Sequence, residues 1–193
     1  MLKFIIIYFA GIISTAFGQD VQFPIDGTGN FIFTEVVEVP GLSKEVLYRN
    51  GELFLKQVKI LNSRKKNLQK NDDDFIISNK GSFYVYRIGS VKKAIDGAVE
   101  YSITLEMKDG KYRYTITNFL YNEFKKNRYG KSEPIKGKYL PLELEVSSLN
   151  SKQWEKHREV VYLKTQDLIL NLYGEMIYSK SKNSKKVKKL DNW

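Results

Sequence analysis

Residues 100–120, EYSITLEMKDGKYRYTITNFL, contain the turn on which the predicted fold depends. Asp109-Gly110 separates two runs rich in Thr, Ile and Tyr, and this pattern is the strongest short-range signal for a β-hairpin. A two-residue turn also fixes the register of the two strands. The pairs predicted on one face are Met107 with Tyr112, Leu105 with Tyr114, Ile103 with Ile116, and Tyr101 with Asn118. The sequence therefore predicts a hairpin with one mostly apolar face.

The other face of this hairpin is polar. Its predicted cross-strand pairs are Ser102 with Thr117, Thr104 with Thr115, and Glu106 with Arg113. Paired hydroxyls and opposite charges are favourable neighbours across two strands. If helices cover the apolar face, these six side chains form a surface that can receive a peptide, a glycan or a partner protein. An ordinary solvated sheet face is the alternative interpretation.

The composition excludes several kinds of site. A chain of 193 residues is long enough for one domain with a real core and for processing segments at its ends. It has no cysteine and a single histidine, His157, which excludes disulfides, Cys-ligated zinc and multi-histidine metal sites. We also expect no cofactor. His157 is interpreted as a histidine at the edge of the core, with a metal ligand or a general base as the alternatives.

The N-terminal residues have the pattern of an export signal. Residues 1–18 combine Lys3 with an apolar run at 4–13 and with small residues at positions 16 and 18. The apolar run is shorter than the roughly 20 residues that span a bilayer, although a membrane anchor or a buried first strand are alternatives. We expect a cleaved signal peptide, a linker at residues 19–30, and a periplasmic or secreted protein that is not integral to the membrane.

The C-terminal residues 179–193 form a low-complexity cationic tail. Subtracting five charges for this tail and one for Lys3 from the formal charge of +10 leaves +4, so the remainder is only mildly basic. A disordered, solubilising end is one interpretation. The other is unspecific attraction to an anionic surface such as phospholipid, lipopolysaccharide or nucleic acid. The lysines that would make this contact are Lys180, Lys182, Lys185, Lys186, Lys188 and Lys189.

The remaining elements follow from hydrophobic periodicity and turn residues. The strands predicted outside the central hairpin are residues 31–39, 75–78, 82–88 and, as an edge strand, 140–146. The turn between the second and third of these is predicted at residues 79–81. The predicted helices are residues 44–61 and a longer one that follows Asn150 and ends near residue 178. The predicted loops are residues 62–73 and a long basic segment at 121–138.

The predicted order is a strand, a helix, four strands and a long helix. Together with residues 39–48, VPGLSKEVLY, and 108–114, KDGKYRY, this order resembles an exported family of Bacteroidota known as domain of unknown function 4468. The resemblance spans residues 31–178 and implies a single α+β domain with a TBP-like fold. Such a fold is a curved antiparallel sheet, here of about five strands in the order β-α-β-β-β-β-α, with two helices packed on one face. The resemblance implies no catalytic residue.

The sequence favours a non-catalytic binding or assembly module of the bacterial envelope. Its partner would be an envelope protein, a peptide or a glycan, and no specific nucleic acid is expected. One alternative is attachment to anionic envelope surfaces through the lysine-rich tail. The other is an envelope hydrolase, which needs two carboxyl groups facing each other across a cleft. The sequence disfavours the hydrolase, because Glu106 is the only acidic residue on the polar face and it already faces Arg113.

Overall fold

The computed structural model describes residues 22–61, 68–89, 94–144 and 151–187, with side chains up to residue 177. The predicted signal peptide lies outside the described residues, as do the first residues of the predicted linker and the last residues of the tail. The elements, in chain order, are β1 (Phe33–Glu38), α1 (Lys44–Leu55), β2 (Gln69–Asn71), β3 (Ile76–Tyr86), β4 (Ile95–Lys108), β5 (Lys111–Lys126), β6 (Ser132–Pro141) and α2 (Ser151–Val187).

The described strands form one curved antiparallel sheet, which confirms the predicted α+β class. The order of strands is β1-β5-β4-β3-β2, and β6 also pairs with β5. Since β4 occupies one edge of β5, β1 and β6 share the other edge. β1 pairs with residues 111–116 and β6 with residues 120–126, so the two short strands follow one another along β5.

The central hairpin has the predicted register over its outer part. Met107 lies opposite Tyr112, and the pairing continues through Ile103 opposite Ile116. These apolar side chains are buried. Gly110 adopts a φ of 74°, a left-handed conformation that glycine takes without strain.

The predicted pair of Tyr101 with Asn118 does not form. β5 contains a β-bulge at this point, so that pairing resumes with Glu100 opposite Leu120. Asn118 takes a left-handed φ of 57°, which asparagine tolerates better than most residues, and its side chain is exposed. Phe119 then turns into the core and is completely buried. The bulge reverses which residues of β5 face the helices.

Residues 79–81 are not a turn, so the second predicted hairpin is wrong. They lie in the middle of the continuous strand β3. The side-chain amide of Asn79 donates hydrogen bonds to the carbonyl oxygens of Leu55 at 2.7 Å and Val58 at 3.1 Å. A Cβ on Gly81 would lie 2.3 Å from the hydroxyl oxygen of Tyr101. Asn79 therefore binds the end of α1 and the residues that follow it, and Gly81 leaves space for the side chain of Tyr101.

The long basic loop predicted at residues 121–138 is also wrong. β5 continues to Lys126 and β6 begins at Ser132, with a tight turn between them. The turn is closed by a hydrogen bond from the Asn127 amide to the Lys131 carbonyl at 2.9 Å. The edge strand predicted at residues 140–146 is instead β6, which ends at Pro141. The loop predicted at residues 62–73 contains a short strand, β2.

Both helices pack on the apolar side of the sheet, as predicted. α1 begins at Lys44 but ends at Leu55, earlier than the sequence predicts. Ser43, which precedes it, makes no side-chain capping bond. Instead, the carboxylate of Asp109 in the hairpin turn accepts a hydrogen bond from the Lys44 amide at 2.9 Å. The turn of the central hairpin therefore also caps the first helix.

The two helices meet above β4. A Cβ on Gly51 of α1 would lie 2.5 Å from the Met107 methyl carbon and 3.0 Å from a methyl group of Leu105. The side chain of Asn50 donates a hydrogen bond to the carbonyl oxygen of Met176 in α2 at 3.0 Å. Glycine at position 51 thus lets α1 lie directly on the sheet. The backbone of α2 remains helical to Val187, beyond its predicted end.

Candidate functional site

The six residues of the predicted binding face lie on the side of the sheet opposite the helices. On β4 they alternate with Ile103, Leu105 and Met107, which are buried beneath the helices, so their side chains point the other way. Each of the six is half-buried or exposed. We call this set the open face: Ser102, Thr104, Glu106, Arg113, Thr115 and Thr117. The structure brings them together in the predicted cross-strand pairs.

Polar groups on the open face interact with each other at the surface. Arg113 forms an ion pair with Glu106. The hydroxyl oxygen of Thr115 lies 3.2 Å from that of Thr34, and the Thr117 hydroxyl donates to the carbonyl oxygen of Phe31 at 3.2 Å. Exposed ion pairs contribute about 0–1 kcal/mol, so Arg113 can exchange its contact for one with a partner at small energetic loss.

Two shallow depressions mark the open face. The first has a volume of about 190 Å³ and is lined by Val36, Glu106, Lys108, Lys111, Tyr112 and Arg113. The second has a volume of about 430 Å³, and its lining includes Gln69, Ser78, Lys80, Ser102 and Thr104. Tyr112 is the single aromatic residue among these linings, and it is almost completely buried. The depressions therefore offer hydroxyls, amides and charges without an aromatic platform.

Further along the same side of the sheet, one cross-strand row contains aromatic residues. The row consists of Tyr84, Ala98, Asn122 and Tyr139. Next to it, burial raises the pKa of Glu100, although Lys80 and a hydrogen bond with Tyr139 lower it in part. Tyr139 keeps 45% of its surface exposed. The uncovered side thus has a hydroxyl-rich end and an end with an accessible tyrosine.

A second group of polar side chains surrounds His157 on the helix side of the sheet. His157 is 1% exposed, so it lies in the core rather than at its edge. Its Nε2 atom lies 2.9 Å from a carboxylate oxygen of Asp96. The ring of Tyr121 stacks on the imidazole, with centroids 5.3 Å apart and an angle of 26° between the planes.

Asp96 connects His157 to Arg87. Its Oδ1 atom accepts a hydrogen bond from Arg87 Nε at 3.0 Å and lies 2.9 Å from Nη2. Burial by itself would raise the pKa of Asp96, but hydrogen bonds from His157 and Arg87 outweigh burial and hold it below its usual range. Burial lowers the pKa of His157, and the contact with Asp96 offsets this only in part. At neutral pH the pair is an ionised carboxylate beside a neutral imidazole.

Gln153 joins this group to the end of β3. Its amide nitrogen donates to the carbonyl oxygen of Tyr86 at 2.9 Å, and its amide oxygen accepts from the backbone of Ile88 at 2.8 Å. The same nitrogen lies 3.4 Å from His157 Nδ1. The polar group thus fastens the first turn of α2 to the sheet.

The sequence did not predict this polar group. Asp96 lies between the strand predicted at residues 82–88 and the central hairpin, and no local pattern relates it to a histidine 61 residues further along the chain. Among the described residues, no three His, Asp or Glu side chains are placed to hold a metal ion. Of the tail lysines, Lys180, Lys182, Lys185 and Lys186 lie within the backbone helix α2. Their side chains, and all of residues 188–193, lie outside the described residues.

The curved antiparallel sheet with two helices on one side has the architecture expected of a TBP-like α+β domain. The model of the family described as domain of unknown function (DUF4468) with TBP-like fold matches residues 33–122. The resemblance predicted from the sequence is therefore confirmed over residues 33–122, which match the model of this family. The name TBP-like describes a shape, and DNA binding does not follow from it.

Two solved structures have the same fold. A TBP-like protein from Parabacteroides distasonis is 14% identical, with a TM-score of 0.58 and coverage of 79% of this chain and 96% of that chain. A DUF4468 family protein from Bacteroides ovatus is also 14% identical, with a TM-score of 0.53 and coverage of 79% and 90%. At this identity the likeness concerns the fold alone. No curated protein matches the chain. Within the described residues, no helix is long and apolar enough to cross a membrane.

Proposed function

We propose that this protein is a non-catalytic binding or assembly module of the bacterial envelope, and that it receives a partner protein on the open face. The observation that carries the proposal is the alternation along the central hairpin. One set of residues is buried under two helices, and the other set stands in paired rows on the uncovered side. The second set is uncovered, so its hydroxyls and its exposed ion pair are available to contact another molecule.

The chemistry of the face favours a protein over a glycan. Sugar rings are held by stacking on exposed aromatic rings, and the two depressions contain no exposed ring. The face does contain Arg113 and, beside it, Val36, which is 53% exposed. An arginine beside a small apolar surface, with hydroxyls around it, suits a protein interface with a mixed polar and apolar character.

The spacing of the carboxylates supports a non-catalytic role. Glu100 and Glu106 point to the same side of β4 but are six residues apart, which corresponds to about 20 Å along a strand. Paired carboxylates in glycosidases are separated by about 5–10 Å. Glu106 is also paired with Arg113, and Asp96 on the other side is saturated by protein donors. Glu100, Glu106 and Asp96 are therefore not arranged as such a pair.

The envelope location rests on the sequence of residues 1–18. Its test is the N-terminus of the protein recovered from fractionated cells. We expect mass spectrometry to find Gln19 as the first residue, in the periplasmic or culture fraction. Protein that retains residues 1–18 in the cytoplasm would overturn the location.

The partner site is tested by site-specific photo-cross-linking in the cells that express the protein. A photoreactive residue at position 104 or 111 samples the open face, and one at position 171 samples the solvent side of α2. We expect the same protein to be cross-linked from both sheet positions and not from position 171. Equal cross-linking from position 171, or none from the sheet positions, would contradict the proposal.

A further inference from the structure

We propose that a pocket between α2 and the sheet binds a small organic anion, and that Arg87 holds its anionic group. The pocket has a volume of about 450 Å³, which lies within the range of small-molecule sites. Its walls include Arg87, Tyr121, Glu123, Leu140, Trp154 and His157. This site is on the helix side of the sheet, so it is separate from the open face and does not rest on the proposed function.

Arg87 is held in a fixed orientation although most of it is exposed. Asp96 binds Nε and Nη2 of the guanidinium at 3.0 and 2.9 Å, while 64% of the Arg87 side chain remains accessible. A guanidinium has five N–H donors, and these contacts use two of them. The remaining donors belong to a planar fork whose geometry matches the two oxygens of a carboxylate or phosphate. Arg87 is thus a preorganised receptor for an anion.

Asp96 orients the site rather than binding a cation. Its oxygens face Arg87, His157 Nε2 and the Tyr121 hydroxyl, at 3.4 Å for the last contact. With His157 neutral, the charges of Arg87 and Asp96 cancel. Glu123 at the rim is likewise paired with Lys138 at 2.8 Å. Binding must therefore draw on direct N–H contacts and on apolar contact with the walls, because long-range attraction is small.

The walls provide an apolar surface for the body of such a ligand. The Trp154 indole stands edge-on to Tyr121, with centroids 5.3 Å apart and an angle of 85°. Its Nε1 atom donates to the carbonyl oxygen of Leu144 at 2.9 Å, which fixes the orientation of the ring. Leu140 adds an aliphatic side chain to the lining. A flat carboxylate such as benzoate combines an anionic group for Arg87 with a ring for this surface.

His157 gives the site an internal reporter. It is the only histidine in the chain, so its ring resonances are identified without ambiguity. The groups that face it are Asp96, Tyr121, Gln153 and Trp154. A bound anion adds negative charge near this imidazole and favours its protonated form. By reciprocity, benzoate should raise the pKa of His157 and should bind more tightly as the pH falls.

The experiment is an NMR titration of the mature protein with benzoate, with benzamide as a neutral analogue and inorganic phosphate as an anion without a ring. We expect saturable shifts of the His157 ring and the Trp154 indole signals with benzoate. Benzamide should bind at least about tenfold more weakly, a difference of about 1.4 kcal/mol. Phosphate should shift the same signals with lower affinity, because it lacks the apolar body.

Two variants separate the anion contact from general structural change. Arg87→Gln should weaken benzoate binding at least about tenfold, whereas Arg128→Gln, which removes an exposed arginine in the turn between β5 and β6, should have no effect. Leu140→Trp should block benzoate by filling the pocket while Asp96 and Arg87 remain. Absence of saturable shifts into the tens of millimolar would overturn the proposal. Equal binding of benzamide, or unchanged binding in Arg87→Gln, would overturn it as well.

Discussion

The two faces of the central hairpin differ in what their residues can contribute, although they come from the same two strands. Ile103 and Ile116 are completely buried under the helices, whereas Thr104 and Thr115, one position away on each strand, are half-buried on the open face. Since hydrophobic stabilisation scales with the apolar area removed from water, the buried set holds the fold. The open set is free to interact with another molecule.

The largest expected effect sharpens this contrast at adjacent positions. Ile103→Ala should lower the free energy of unfolding by about 2–5 kcal/mol, because it removes buried methyl groups and leaves a cavity. Thr104→Ala should lower it by less than about 1 kcal/mol, because it removes only a cross-strand pair of hydroxyls. Urea denaturation of both variants measures the difference. Similar losses in the two would mean that the open face is also packed.

Two glycines outside the hairpin test the contrast between a packed position and an open one. A Cβ at Gly97 would lie 2.4 Å from the backbone carbonyl oxygen of Asn122, which cannot move without disturbing the sheet. Gly97→Ala should therefore destabilise the protein by about 1–3 kcal/mol. At Gly174 of α2 nothing lies within 4 Å of a Cβ, so Gly174→Ala should stabilise by up to about 1 kcal/mol. Thermal unfolding of both should give shifts of opposite sign, and shifts of the same sign would contradict the packing described here.

The pH dependence of stability probes the buried polar group on the helix side. Because burial lowers the pKa of His157, the unfolded chain binds a proton more readily than the folded one below the ordinary histidine value of about 6.5. Stability should therefore decrease as the pH falls below that value. Asp96, with its lowered pKa, contributes stability that is lost in a second, more acidic window below about 3.8.

The substitution His157→Gln tests the first of these windows. Glutamine has no titrating group there but has an amide that can donate to Asp96. We expect the decrease in unfolding free energy between pH 7.5 and pH 5 to be smaller in this variant than in the natural protein. The chain has no other histidine that could produce this pH dependence. An unchanged slope would show that His157 does not titrate as its burial implies.

The fold could be predicted where local signals agree with tertiary structure. Asp109-Gly110 and the alternation around it fixed a register that placed all six residues of the open face correctly. The prediction failed at residues 79–81, where an asparagine and a glycine serve long-range contacts and so imitate a turn. It failed again at residues 121–138, where lysines on exposed strand positions imitate a loop.

The polar group around His157 could not be predicted for a different reason. Arg87, Asp96 and Gln153 come from separate elements, and their contacts depend on how α2 lies against the ends of β3 and β4. The periodicity of a single sequence does not show which residues of separate elements will be in contact. The open face was accessible to sequence reasoning because one hairpin supplies all of it.

The smallest expected change in stability belongs to Arg113→Ala. Loss of its exposed ion pair with Glu106 should change the unfolding free energy by less than about 1 kcal/mol. The same substitution should have a large effect on partner binding, because it removes the arginine at the centre of the proposed interface. Arg128→Ala is the matched control, since Arg128 is exposed in the turn that follows the end of β5, whereas Arg113 lies near the start of that strand.

The most direct measurement is the yield of the protein cross-linked from a photoreactive residue at position 104, compared between the natural protein and Arg113→Ala. We predict that the yield falls at least about tenfold in Arg113→Ala and stays constant in Arg128→Ala, while both variants remain folded. An unchanged yield in Arg113→Ala would contradict the assignment of the open face as the partner site.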